Sequence, residues 1–223
     1  MRVAVWFPVF VVALFAAAVA TAEQPAPQPE HVRGDIVAVS GNTLRVKTRG
    51  GQEVVLALAP STSVATVKKA GLEDIGEGVF VGTTAVPQSD GTLRAVEVHL
   101  FPESMRGTGE GFRPWDLQPN STMTNATVAR SEPQAGRNAR STMTNATVAE
   151  VEKSGGGRKL QLRYAGGEKT VNVPASTPVV KLEPSDRSSL KTGAHLFAIA
   201  ARQPDGTLIA QRVTVGEDVV PPM

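Results

Sequence analysis

The stretch "VRGDIVAVSGNTLRVKTRGGQEVVLALAP", residues 32–60, decides the fold class. Within it Leu44, Val46 and Thr48 alternate with Arg45, Lys47 and Arg49. One face of that segment is therefore expected in a core and the other in water. The turns Ser40–Asn42 and Arg49–Gly51 flank it, and Gly and Asn tolerate the positive φ of tight hairpins. The stretch predicts three antiparallel strands.

Downstream, "VKKAGLEDIGEG" (67–78) carries a short helical turn near Leu72–Ile75. "VFVGTTAV" (79–86) and "TLRAVEVHL" (92–100) follow as two more strands, joined at the turn "QSDG" (88–91). Three strands, a helical turn and two strands is the element order of an OB-type five-stranded barrel. Closure removes free sheet edges. The pattern then recurs. "SDGTLRAVEV" (89–98) matches "PDGTLIAQRV" (204–213) at an offset of 115 residues. The same offset carries Gly78 to Gly193, Ile75 to Leu190 and Ser61-Thr62 to Ser176-Thr177. "RGGQEVV" (49–55) matches "AGGEKTV" (165–171) at 116, a slip of the kind turns absorb. The expected fold is all-β: two tandem OB-like small barrels, 32–100 and 144–217, each with one helical turn.

Other segments are read as connections. Residues 1–22 have one early charge, Arg2, then an apolar run ending in Ala20-Thr21-Ala22. This is the pattern of a signal peptide cut after Ala22. An uncleaved anchor is the alternative, since the run is about long enough to span a bilayer; Pro8 and the Ala-rich end favour cleavage. Residues 23–31, "EQPAPQPEH", read as a proline-rich linker. Residues 101–143 read as an inter-domain linker and 218–223 as a tail.

The nonapeptide Ser121–Ala129 recurs unchanged at Ser141–Ala149. "TNATVAEV" (144–151) occupies the place of "RGDIVAV" (33–39), so the second copy is expected to be the first strand of the second barrel. The first copy is expected to be a spare in the linker. The connection to the next strand is shorter from the second copy, an advantage of about 1 kcal/mol in closure entropy. The repeat also places glycosylation-type sequons at Asn120, Asn125 and Asn145.

Composition excludes several classes. Without Arg2 the chain carries 22 Lys and Arg against 21 Asp and Glu, well mixed in sign, so long-range attraction to nucleic acid or anionic lipid is not implied. Aromatics are too few for a base-stacking surface, and nucleic acid is not an expected partner. There is no cysteine, which removes thiol chemistry, disulfides and cysteine metal sites. No apolar run after the signal is long enough to span a membrane. "GTGEG" (107–111) lacks the Lys-Ser/Thr of a phosphate loop and is followed by Pro114. No nucleophile elbow or His-Glu-x-x-His helix occurs, and the chain is not expected to be an enzyme or to carry a cofactor.

Two sets of candidate residues remain. Arg113, Trp115 and Asp116 lie between the barrels; Trp beside Arg is anchor chemistry for a partner, or Trp115 plugs the seam of its own chain. Glu97 and His99 leave one strand face two residues apart and, with His195, form the weak candidate metal set. The plainer reading of Glu97 and His99 is a solvated face, because Arg212 and Thr214 replace them in the second repeat. His195 is read as a packed histidine, and His31 as solvated.

"MRGTGEGFRPWD" (105–116) followed by "STMTNATV", with "AVPQSDGTLRAVEVHLFPE" (85–103) before it, resembles a bacterial family of exported, uncharacterised proteins with repeated OB-like domains. Its members often carry the automatic label "metal ABC transporter permease", which a chain without later membrane spans does not suit. Phe112 stands where relatives often have His. The resemblance implies an exported, periplasmic or secreted non-enzymatic binding or structural module of the cell envelope. Its expected partner is an envelope protein or small ligand. The alternative is a metal-linked accessory or carrier for a transporter.

Overall fold

Leu44 and Val46 are fully buried while Arg45 and Lys47 are exposed, so the alternation of residues 43–48 does set the two faces of the sheet. The computed structural model describes residues 29–133 and 156–221. These are all-β. The strands are β1 (Pro29–Ser40), β2 (Thr43–Thr48), β3 (Glu53–Ala70), β4 (Phe80–Pro87), β5 (Leu93–Leu100), β6 (Gly111–Pro114), β7 (Thr122–Pro133), β8 (Arg158–Tyr164), β9 (Gly167–Val173), β10 (Val179–Ser185), β11 (His195–Arg202) and β12 (Leu208–Gly216). Single helical turns lie at Leu72–Asp74, Glu103–Met105 and Arg187–Ser189. Among the described residues no helix is long and apolar enough to cross a membrane. The two hairpin turns read from sequence hold Gly41 at φ 54° and Gly51 at φ 82°, where a side chain is disfavoured.

β1, β2 and β3 form a meander. The ring then closes through β12, parallel to β3, and β11, antiparallel to both β12 and β1. This closed five-stranded barrel has the OB order of pairings, but its last two strands come from the other end of the chain. A second circuit of pairings runs β5–β4–β7–β8–β9 and returns to β5 through two parallel residue pairs. It is built from one continuous stretch, 80–173, set between the third and fourth strands of the first. The division into 32–100 and 144–217 is therefore not how the strands pair. Alternation and turns specify each strand's faces and ends, and they leave its partner open.

The cores follow the circuits. One cluster holds Ile36, Leu44, Val46, Leu56, Leu196 and Val213, capped by Leu190 after the third helical turn. The second holds Val81, Val98, Val128, Leu160, Leu162 and Val171, capped by Ile75 after the first. A third cluster, with Val67, Phe80, Phe101, Met123, Leu182 and Phe197, lies between them. β10 bridges the circuits, antiparallel to β3 and parallel to β5. Val67 sits opposite Leu182, its own counterpart at the 115-residue offset. The pairing Val64↔Val213 likewise becomes Val179↔Val98. The two circuits are thus related about an approximate two-fold near Val67 and Leu182.

The structure corrects the reading of the duplicated segment. The first copy is not a spare: as β7 it pairs with β4, β6 and β8. The second copy lies outside the described residues. The reason is that β7 is tethered on both sides. The second copy would shorten the connection to β8 by 20 residues and lengthen the one from β6 equally. Because closure entropy grows with the logarithm of length, the two effects cancel to within about 0.5 kcal/mol. A local turn favours the first copy: Trp115 donates its backbone N–H to the Ser121 carbonyl at 2.8 Å, and the buried Ser121 hydroxyl reaches the Gln118 carbonyl at 2.8 Å.

Candidate functional site

Directly paired residues of neighbouring strands share a face, so the registers place side chains in rows. Across β7, β4 and β5 the rows are Asn125–Gly82–His99 and Met123–Thr84–Glu97. Across β1, β11 and β12 they are Arg33–Phe197–Thr214 and His31–Ile199–Arg212. These are equivalent rows of the two circuits, and they face each other across the third cluster. β6 adds Arg113 beside Met123. Between the rows lies a cavity of about 30 Å³, reached by His99, Arg113, Trp115, Asn125, Arg212 and Thr214 and walled by Phe101, Leu182, Phe197 and Ile199.

Trp115 closes one side. Its ring lies 4.3 Å from that of His31 and 6.2 Å from that of Phe197, with the Arg113 guanidinium 5.5 Å over it. Asp116 fixes this corner. Arg33 donates to its two oxygens at 2.7 and 3.2 Å, and His31 Nδ1 donates at 2.8 Å. Partial burial pushes the Asp116 carboxyl up, but the hydrogen bonds and charges of Arg33 and His31 outweigh it and bring it down to about 2. A depressed carboxyl contributes stability above its ordinary value of 3.8, and that contribution is lost as pH falls toward 2. Asp116→Asn is accordingly expected to melt below wild type at pH 7. The gap should close between pH 4 and 2 in melting curves; a gap independent of pH would show that Asp116 acts by packing alone.

Glu97 and His99 are buried, at 4% and 1% exposure. This corrects the expectation of a solvated face, and His31 is likewise not solvated, with 13% of its side chain exposed. A second layer, the other circuit, covers the outer side of β5. Thr84 donates its hydroxyl to Glu97 Oε1 at 2.6 Å. His99 Nε2 lies 3.3 Å from the same oxygen but off the line of a hydrogen bond, and has no other partner. Burial pushes the Glu97 carboxyl up, yet His99, Thr84 and Arg33 together hold it below its ordinary range. Gly82 keeps this corner open: a Cβ there would stand 2.7 Å from Asn125 Oδ1 and 3.4 Å from His99 Nδ1. The Asn125 side chain is buried and donates Nδ2 to the Thr108 carbonyl at 3.0 Å, so in the folded chain it is closed to glycosylation.

No protein family, curated protein or solved structure matches this chain. The site is therefore described by its own chemistry. His99 Nε2, Trp115 Nε1, Asn125 Oδ1 and Thr214 Oγ1 are buried atoms without a hydrogen-bond partner, and all belong to side chains on this one cavity. Such atoms are rare in folded proteins and cost about 1–3 kcal/mol each.

Of the residues singled out from sequence, Arg113 and Trp115 line the cavity and Asp116 braces its edge. Trp115 fills the seam of its own chain. Glu97 and His99 come together; His195 does not join them, and instead pairs through Nδ1 with Asp35 on a partly exposed surface. Among the described residues no three His, Asp or Glu side chains converge on a common point. Arg212, Thr214, Asn125, Gly82, His31 and Arg33 were missed. The signal for Arg212 and Thr214 was present, since the 115-residue offset names them as the counterparts of Glu97 and His99. The fold brings those counterparts to opposite walls of one cavity.

Proposed function

We propose that this chain is an exported, non-enzymatic binding module of a bacterial cell envelope, taking a small polar ligand between its two circuits. The observation that carries the reading is the convergence of four unpartnered buried polar atoms on one cavity within an all-β frame. Burial without partners is tolerated at sites of function more than elsewhere. Residues 1–22 and the resemblance to exported proteins with repeated OB-like domains support the location. The sequence offset and the matched registers support descent from a repeated OB-like unit.

The metal-linked reading rests on Glu97 and His99, 3.3 Å apart and buried together. Titration of the purified protein with zinc, manganese or iron(II) separates the two. The binding-module reading expects no stoichiometric uptake. A stoichiometric metal whose melting shift disappears in His99→Gln would replace it with the metal-linked one. For the location, residues 1–30 fused to a reporter that works only outside the cytoplasm are expected to give activity; a silent fusion would remove export from the proposal.

A further inference from the structure

Two arginines meet at the cavity from opposite walls. Arg113 comes from β6 and Arg212 from β12, and both are partly buried. Arg113 donates to the Gly109 carbonyl at 2.8 Å and stacks over Trp115. Arg212 makes no hydrogen bond or ion pair among the described residues. Burial lowers both guanidinium groups, and the charge of Arg212 lowers Arg113 further. Like charges held together out of water are costly unless an anion stands between them. The neighbouring carboxylates do not serve. Asp116 is engaged by Arg33 and His31, and Glu97 by Thr84 and His99.

The rest of the lining points the same way. Trp115 Nε1 is a donor only and the Thr214 hydroxyl can donate; neither has a partner. Asn125 Oδ1 is the single fixed acceptor, held so because its amide nitrogen is used on Thr108. The cavity is small, about 30 Å³, which suits the compact, planar head group of a carboxylate. Apolar walls of Phe101, Leu182 and Phe197 keep the local dielectric low and strengthen each such bond.

We propose that the cavity between the circuits is a carboxylate-binding site, with Arg113 and Arg212 as its clamp and Trp115 Nε1 and the Thr214 hydroxyl as further donors. This rests on the binding-module reading and gives its ligand a chemical class. A free acid and the carboxyl end of a longer chain share that chemistry. Formate reads the group alone, and propionate and a tripeptide read whether an attached chain is accepted.

The test is melting of the purified protein against sodium formate, with sodium chloride at equal ionic strength and formamide as the neutral analogue. Formate is expected to raise the midpoint saturably, and chloride and formamide are not. Arg212→Gln should weaken formate roughly 10- to 100-fold, the loss of charge-assisted hydrogen bonds. Trp115→Phe keeps an aromatic ring in the corner, removes the indole N–H donor, and should weaken it about 3- to 10-fold. Arg45→Gln, on the outer face, should change nothing. If Arg212→Gln does not fold, Trp115→Phe alone decides. Equal shifts by formate and formamide, unchanged in the variants, would overturn the carboxylate class and leave a binding module for neutral ligands. No shift beyond that of chloride would overturn the inference itself, and the binding reading would stand on other ligands.

Discussion

Phe197→Ala is expected to lower the stability of this protein by about 3–5 kcal/mol, the range for deleting a buried aromatic ring. Phe197 is 1% exposed and belongs to the third cluster, between the cores of the two circuits. Its ring lies 5.6 Å from His31 and 6.2 Å from Trp115, with the Arg33 guanidinium 5.1 Å above it. The cavity left would remove the wall shared by the first circuit, β10 and the Trp115 corner. A collapse that filled it would displace His31 and with it the brace on Asp116. Urea unfolding measures the loss. Phe112→Ala is the comparison, because Phe112 is 39% exposed and has the Lys169 ammonium 4.3 Å from its ring; it should cost under about 1 kcal/mol. Equal small effects at the two positions would mean that the third cluster does not hold the circuits together.

Deleting residues 121–140 is expected to stabilise the chain by about 1.5 kcal/mol. The variant keeps one copy of the nonapeptide, so the strand in the β7 slot has the same sequence over its pairing with β4 and β6. What changes is the connection to β8, which is 24 residues between Pro133 and Arg158 in this chain. In the variant Glu150 to Lys153 follow the nonapeptide and take the positions of Arg130 to Pro133. Ser154 to Gly157 then form a four-residue hairpin loop. A sixfold shorter loop reduces closure entropy by about 1.5 kcal/mol. The new register also sets Glu152 against Lys159 in place of Glu132, and Val151 against Leu160 in place of Ser131. A higher melting temperature, by about 3–6 °C, is the outcome to look for. A lower one would mean that the inserted residues contribute contacts the hairpin cannot replace.

The strands, the hairpin turns and the helical turn at Leu72–Asp74 were legible because each depends on local chemistry: alternation, and glycine where φ is positive. The offset of 115 residues was legible for the same reason. Strand partnership was not. β4–β5 and β11–β12 carry one pattern and end in one turn, "DGTL", so the sequence does not say which hairpin closes which ring. The choice depends on packing around Val67 and Leu182. The misreading of Glu97 and His99 followed from this. On an isolated barrel their face of β5 meets water; here it meets the rows of the other circuit. For Trp115 the seam stood beside a partner surface as an alternative, because a lone tryptophan in a connection gains most from local burial. Glu97 and His99 were discounted because Arg212 and Thr214 differ from them, although difference is what two walls of one polar cavity require.

The nesting of one circuit within the other also fixes an order in time. All strands of the inner circuit exist once Val173 has been made. The barrel that begins at Pro29 cannot close until His195–Gly216 has followed, so its first three strands wait through most of synthesis for their last two. Pairings between such distant residues form slowly. For a chain that crosses a membrane as an extended thread, as proposed here, that delay is useful. On that proposal the outer barrel would have no finished form in which to jam the passage, and would lock only once the final hairpin had reached the far side.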